Sequence, residues 1–146
     1  MRTVRFRNPA GATRTGQWTE DGLIFGDEVY DPREVDVLPP SEPSKIVCIG
    51  LNYEDHAAER GQDIPDRPML FLKPPNTVAG HGDTITLPAG KDRVDYEAEL
   101  GVVIGKQCRN VDAESAWDVV EGFTCVNDVS NRDDQEIEQN WVRGKA

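Results

Sequence analysis

Long apolar runs are missing from this 146-residue chain, and so is any excess of positive charge. No window approaches the roughly 20 apolar residues that a membrane-spanning helix needs. The opening residues, MRTVRFRNPAG, hold no apolar stretch long enough for a secretory signal. A cytoplasmic protein with no membrane partner is therefore expected. Lys and Arg number 16 against 27 Asp and Glu, a formal net charge of -11. Most of such a surface repels a phosphate backbone or an anionic lipid headgroup, which argues against nucleic acid and membrane as partners. The acidity reads either as a solvated shell that keeps the protein soluble or as adaptation to high salt, where self-repulsion is screened. Cysteine is sparse: Cys48, Cys108 and Cys125 are odd in number and lack metal-site spacing. They suit a reducing compartment and unpaired thiols. Cys48 and Cys125 stand in apolar runs and read as small buried hydrophobes.

What is present is enough for a core. The hydrophobic fraction is 37%, with three Trp and four Phe, and a chain of this length can bury roughly two-thirds of its unfolded surface. Residues 1–41 read as a small β-rich module of short strands (TVRFR, GQW, GLIFG, EVYD) separated by turns. LPPSEPS, residues 38–44, packs three prolines into seven positions and predicts a linker. After it, KIVCIG predicts a short buried strand, and PMLFLKPP predicts a second one stopped by Pro74 and Pro75. LNYEDHAAERG predicts a helix capped by Asn52 and closed by Gly61, on which His56 and Glu59, three apart, share a face. GHGDTITLP predicts a turn, with His81 in a loop, leading into another strand. VDAESAWDVVE, residues 111–121, has apolar residues at helical spacing and predicts an amphipathic helix. GFTCVNDVS is the last clear strand. Ser130 and Asp133, three apart, resemble a capping box that starts a helix in NRDDQEIEQNW.

The stretch RVDYEAELGVVIG, residues 93–105, carries the chemistry. At period two Val94, Tyr96, Ala98, Leu100, Val102 and Ile104 fall on one face, as on a half-buried strand, and Asp95, Glu97 and Glu99 on the other. Neighbouring carboxylates on one strand face stand roughly 6.5 to 7 Å apart at Cα and repel unless a cation lies between them. Asp128, at the end of TCVND and just before the capped helix, can add a third oxygen donor from a neighbouring strand. The three have no local basic partner among them, and a set without His or Cys suits a hard divalent ion. The plain alternative is an acidic strand face solvated by water.

Four stretches, IGLNYEDHAAE, PMLFLKPPNTVAG, DYEAELGVVIG and GFTCVNDVSNRDDQ, resemble in that order the signature segments of the fumarylacetoacetate hydrolase family. The resemblance covers residues 45–146, with residues 1–41 compatible with the variable front module of the family. It implies a mainly β fold with short helices (α+β), the mixed β-sandwich roll of that family. The chain stops at WVRGKA, where relatives continue through further strands, so the roll is expected to be incomplete. The resemblance further implies that Glu97, Glu99 and Asp128 bind Mg2+ or Mn2+, with Ca2+ as a possible substitute. His56 and Glu59 then position or activate water, and Lys145 lies near the reacting carbonyl. Arg132 and Gln135 bind substrate, and Lys73 lies beside the site. Glu59 could instead pair with Arg60 or Lys73. The implied reaction is hydrolysis of a C–C bond in a β-diketo acid or acylpyruvate, by a homodimer acting on a small 2-oxo acid. The same chemistry extends to a 2-hydroxyhepta-2,4-diene-1,7-dioate isomerase or an oxaloacetate decarboxylase. An inactive fragment or a non-catalytic cation-binding module is the alternative from another class.

Overall fold

The computed structural model describes every residue except Arg60. It is mainly β with short helices, and it divides into two compact units. Met1–Glu42 with Val78–Thr86 forms the first, Pro43–Thr77 with Leu87–Ala146 the second. No helix among the described residues is long and apolar enough to cross a membrane.

The first unit is one antiparallel sheet built from β1 (Thr3–Arg7), β2 (Thr13–Trp18), β3 (Leu23–Phe25), β4 (Glu28–Tyr30) and β5 (Asp36–Leu38), in the order β4-β3-β2-β1-β5. Alternation in TVRFR turns Val4 and Phe6 inward. With Leu23 they form the core, rimmed by Trp18, Tyr30, Val35 and Val37. Phe6 and Leu23 are fully buried, each worth about 1.5 to 3 kcal/mol over exposure. His81 is a loop residue whose ring meets Trp18 edge-on at 6.2 Å. The strand expected after it does not form: residues 84–88 are irregular, with Ile85 and Leu87 exposed.

The second unit holds three two-stranded antiparallel ladders. β6 (Ile46–Gly50) pairs with β7 (Met69–Lys73), β8 (Val94–Asp95) with β11 (Ser130–Asn131), and β9 (Ala98–Ile104) with β10 (Val120–Asn127). Three short helices complete it: α1 (Glu54–Glu59), α2 (Arg132–Ile137) and α3 (Val142–Lys145). Gly61, at φ +62°, closes α1 by donating its N–H to Ala58 O at 3.0 Å. The residue whose carbonyl opens that helix is Tyr53, not Asn52: Ala57 N–H donates to Tyr53 O at 3.1 Å. Likewise α2 is capped by Asn131, whose side chain accepts from the N–H groups of Asp133 and Asp134, and not by Ser130. Residues 111–121 do not make an α-helix. Ala113–Val119 is a 3-10 run with Trp117 71% exposed, and Val120, extended, already pairs with Ile104 in β10. The β-branched Val119-Val120 pair favours the strand over another helical turn.

The strand faces also differ from expectation. Leu100, Val102 and Ile104 on β9 are 64%, 49% and 55% exposed, whereas Glu99, Gly101 and Val103 are half-buried. Val47, Ile49, Leu70 and Leu72 on β6 and β7 are open as well, so KIVCIG is not a buried strand. No described element covers these apolar faces, and for that reason Cys125, opposite Leu100, is exposed; Cys48, on the other face of β6 and opposite Phe71, is half-buried.

Candidate active site

RVDYEAEL is not one continuous strand. It passes from β8 to β9 through Tyr96-Glu97, so Asp95 pairs opposite Ser130 whereas Glu99 pairs opposite Val126. At the break Glu97 is pinned by its own backbone: its N–H donates to Asn127 Oδ1 at 3.1 Å, and its carbonyl accepts from Asp128 N–H at 2.8 Å. The Glu97 and Asp128 side chains are thereby brought to the same place from two different strands.

Three cations fill the space between the carboxylates, and each comes from far away in sequence. Lys145, on α3 and 2% exposed, donates to Glu97 Oε2 at 2.6 Å, Asp128 Oδ2 at 2.7 Å and Ser130 Oγ at 2.6 Å. Its Nζ also lies 5.1 Å from the centroid of the Phe71 ring, a cation–π contact. Lys73, the last residue of β7, donates to Asp128 Oδ1 at 2.7 Å and Val129 O at 3.3 Å. Arg132, first in α2, reaches Asp95 Oδ2 through Nε at 2.9 Å and Glu97 Oε1 through Nη1 at 2.6 Å; the same Nη1 donates to Gln135 Oε1 at 2.9 Å. The three carboxylates were expected to have no local basic partner; Glu97 and Asp128 are nonetheless each bonded by two cations, from 17 to 55 residues away in sequence. Lys73 thus pairs with Asp128, not with Glu59; Arg60 lies outside the described residues.

The electrostatics follow from these contacts. Burial opposes the charged form of Glu97, but Lys145 and Arg132 overcome it and hold its carboxyl down at about 2. Glu99 moves the other way. Burial and the nearby charges of Glu97 and Asp128 push it up, against a hydrogen bond from Tyr53 and the attraction of Lys145. No ammonium or guanidinium bonds Glu99 directly among the described residues.

Placement of Lys145 depends on Gly144. A Cβ at Gly144 would stand 2.8 Å from both Asn131 O and Gln135 N, so only glycine lets α3 close onto α2 and β11. Trp141, in the left-handed region at φ 57°, starts α3, and its carbonyl accepts the Lys145 N–H at 3.0 Å. The Trp141 ring meets Phe71 edge-on at 5.4 Å. His56 and Glu59 lie on α1 as expected, but they make no side-chain hydrogen bond with each other or with the cluster among the described residues. Sequence reading missed Ser130, Phe71 and Gly144. Only Ser130 carried a signal, standing two residues beyond Asp128 and before the helix.

Among the described residues no three His, Cys, Asp or Glu side chains stand together in ligand spacing, and Glu97 and Asp128 spend both oxygens on cations. Yet the donors are all oxygen. Asp95, Glu97, Glu99 and Asp128 face only Lys73, Arg132 and Lys145, and Glu99 feels the uncompensated charge. An excess of one negative charge on hard oxygens fits a hard divalent cation.

Residues 45–146 match the family model described as fumarylacetoacetate (FAA) hydrolase C-terminal. The chain belongs to the fumarylacetoacetate hydrolase family. It is 45% identical over 143 residues to the oxaloacetate tautomerase YisK of Bacillus subtilis, covering 94% of this chain and 48% of that protein. It is 46% identical over 138 residues to an uncharacterized protein of Archaeoglobus fulgidus, covering 93% of this chain and 55% of the other. The crystal structure of 5-carboxymethyl-2-hydroxymuconate delta-isomerase from Mycobacterium smegmatis superposes with a TM-score of 0.85 at 36% identity, over 100% of this chain and 61% of that one. The chain spans about half the length of the curated relatives it matches.

Proposed function

We propose that the protein acts on a small 2-oxo acid and moves a proton at the carbon beside the 2-oxo group, as a tautomerase or isomerase. The observation that carries this reading is the convergence of Asp95, Glu97, Glu99 and Asp128 on Lys73, Arg132 and Lys145, four carboxylates to three cations. The relatives named as an oxaloacetate tautomerase and a delta-isomerase support it. Glu97, Glu99 and Asp128 would hold Mg2+ or Mn2+, which supplies a Lewis acid for the carboxylate and 2-oxo oxygens of such a substrate. Arg132 spends Nε and Nη1 within the cluster, which leaves Nη2 to bind and orient the substrate carboxylate. Gln135 offers its amide NH2, since its oxygen is taken by Arg132. Lys145 has all three N–H groups committed to Glu97, Asp128 and Ser130, and so contributes a fixed positive charge near developing oxyanion character.

Hydrolytic C–C cleavage of an acylpyruvate is the second reading. His56 and Glu59 on one face of α1 favour it, since hydrolysis needs a base for water. The intact protein with Mg2+ should accelerate oxaloacetate tautomerisation, and calorimetric titration with Mn2+ should show binding that is lost in the Glu97→Ala/Glu99→Ala/Asp128→Ala triple variant. Full activity and Mn2+ binding in that variant would remove the site. Acylpyruvate cleavage that drops about 10² to 10⁴-fold in His56→Ala would establish the hydrolytic reading instead.

A further inference from the structure

Tyr53 joins α1 to the carboxylate cluster. Its backbone carbonyl accepts the first hydrogen bond of α1, from Ala57 N–H at 3.1 Å. Its side-chain hydroxyl accepts from Leu100 N–H at 3.3 Å, on the edge of β9 that β10 does not cover. The hydroxyl hydrogen is then free to serve Glu99, with which Tyr53 has a hydrogen-bond interaction that favours the ionised carboxylate. One side chain thus spans from the first turn of α1 to a carboxylate of the cluster.

Little else holds α1. Ala57 is its only buried residue, and among the described residues none of the side chains of Glu54–Glu59 hydrogen bonds to or pairs with another element. The chain enters α1 through Leu51, a non-glycine residue in the left-handed region at φ 52°. Such a conformation persists only where contacts on both sides hold it. On one side Gly50 abuts the Trp141 ring, with its would-be Cβ 3.1 Å away. On the other side the Tyr53 tether is the first contact with another strand. The Tyr53 residue is 38% exposed, so it is not a core filler whose loss would collapse the fold.

We propose that Tyr53 is a positioning residue: through its hydroxyl it fixes α1, and with it His56 and Glu59, against the strand that bears Glu99. Only the kinetic arm of the test rests on the proposed function, because the exchange arm needs no turnover. Tyr53→Phe keeps the ring and removes both hydroxyl interactions. Amide hydrogen exchange of the intact protein without added metal should become about fivefold faster or more at Leu100 and Ala57, with the thermal midpoint unchanged. In the kinetic arm kcat for acylpyruvate cleavage should fall on the order of tenfold to 10²-fold with KM held. Oxaloacetate tautomerisation should move less, and Tyr53→Phe should cost nothing further in a His56→Ala background. Unchanged exchange at both amides, or losses that add fully to those of His56→Ala, would overturn the proposal. If the wild-type protein cleaves no acylpyruvate, the exchange result alone decides it, and the failure then belongs to the hydrolytic reading.

Discussion

Lys145 is the residue on which the cluster turns. An ammonium that is 2% exposed, with each N–H matched to an acceptor at 2.6 to 2.7 Å, offsets a desolvation cost that no single carboxylate could cover. Removing one member of such a set leaves the others buried with unbalanced charge, which typically costs about 3 to 5 kcal/mol. Lys145→Met keeps most of the stem volume against Phe71 and deletes the ammonium with its three hydrogen bonds. The metal-free variant should therefore unfold at clearly lower urea concentration than wild type. Glu97 and Asp128, stripped of their shared ammonium, should then draw in a divalent cation, so that Mg2+ raises the thermal midpoint of Lys145→Met by more than it raises that of wild type. Equal stabilisation of the two proteins by Mg2+ would mean that the carboxylates and Lys145 do not share one cation position.

At the scale of elements, α2 is held by a surface clamp as well as by its cap. Arg93 bonds Asp133 through Nε at 2.8 Å and Glu136 through both Nη atoms at 2.8 Å, while its carbonyl accepts Arg132 N–H at 2.8 Å. Lys91 reaches Asp134, which also takes the Asn131 amide. The hydrogen bond from Arg93 holds the Asp133 carboxyl below its ordinary value. A depressed carboxyl contributes stability above its unfolded pKa and loses it as pH falls through the folded one, so the contribution fades below about pH 4. Urea midpoints at pH 5 and pH 3 should show a smaller acid loss in Arg93→Met than in wild type; identical losses would mean that solvent screens the clamp fully. Elements of this kind were largely legible in the sequence. TVRFR and MLFLK alternate or run apolar between turn residues, and the positions of α1 and α2 followed from closing and capping signals, although each cap sat one residue later than expected. Residues 111–121 misled because Val and Ala at helical spacing can equally lead into a strand. The orientation of β9 was hidden too, because alternation fixes which residues share a face but not which face is covered. Glu97, Asp128, Arg132, Gln135, Lys73 and Lys145 could be picked out through ordered motifs, and they converge. Their ion pairing could not be read, since it joins residues up to 55 positions apart.

On the scale of the whole molecule the charge is unevenly spent. The cluster gathers Lys73, Arg132 and Lys145 around four carboxylates and carries an excess of only one negative charge, so nearly all of the net -11 lies elsewhere. Ion pairs outside the cluster such as Arg33 with Asp31, Arg93 with Asp133, and Arg143 with Glu138 are largely exposed and each contributes little. Self-repulsion among the surplus carboxylates thus opposes folding over a range set by the Debye length, about 10 Å at 0.1 M salt and 3 Å at 1 M. KCl should raise the thermal midpoint most steeply at low concentration and then level off as the screening length falls below the spacing between surface charges. Each kcal/mol of repulsion removed corresponds to about 4 °C for a chain of this size. A rise that stays linear to molar salt would come from strengthened apolar burial instead, which the open faces of β6, β7 and β9 would also produce. The two causes separate in a matched series with sucrose, which strengthens apolar burial without screening charge: a midpoint that responds to KCl but not to sucrose assigns the effect to the acidic surface. A midpoint insensitive to KCl would mean that the acidic side chains are simply solvated, and that nothing in their number ties this protein to a high-salt environment.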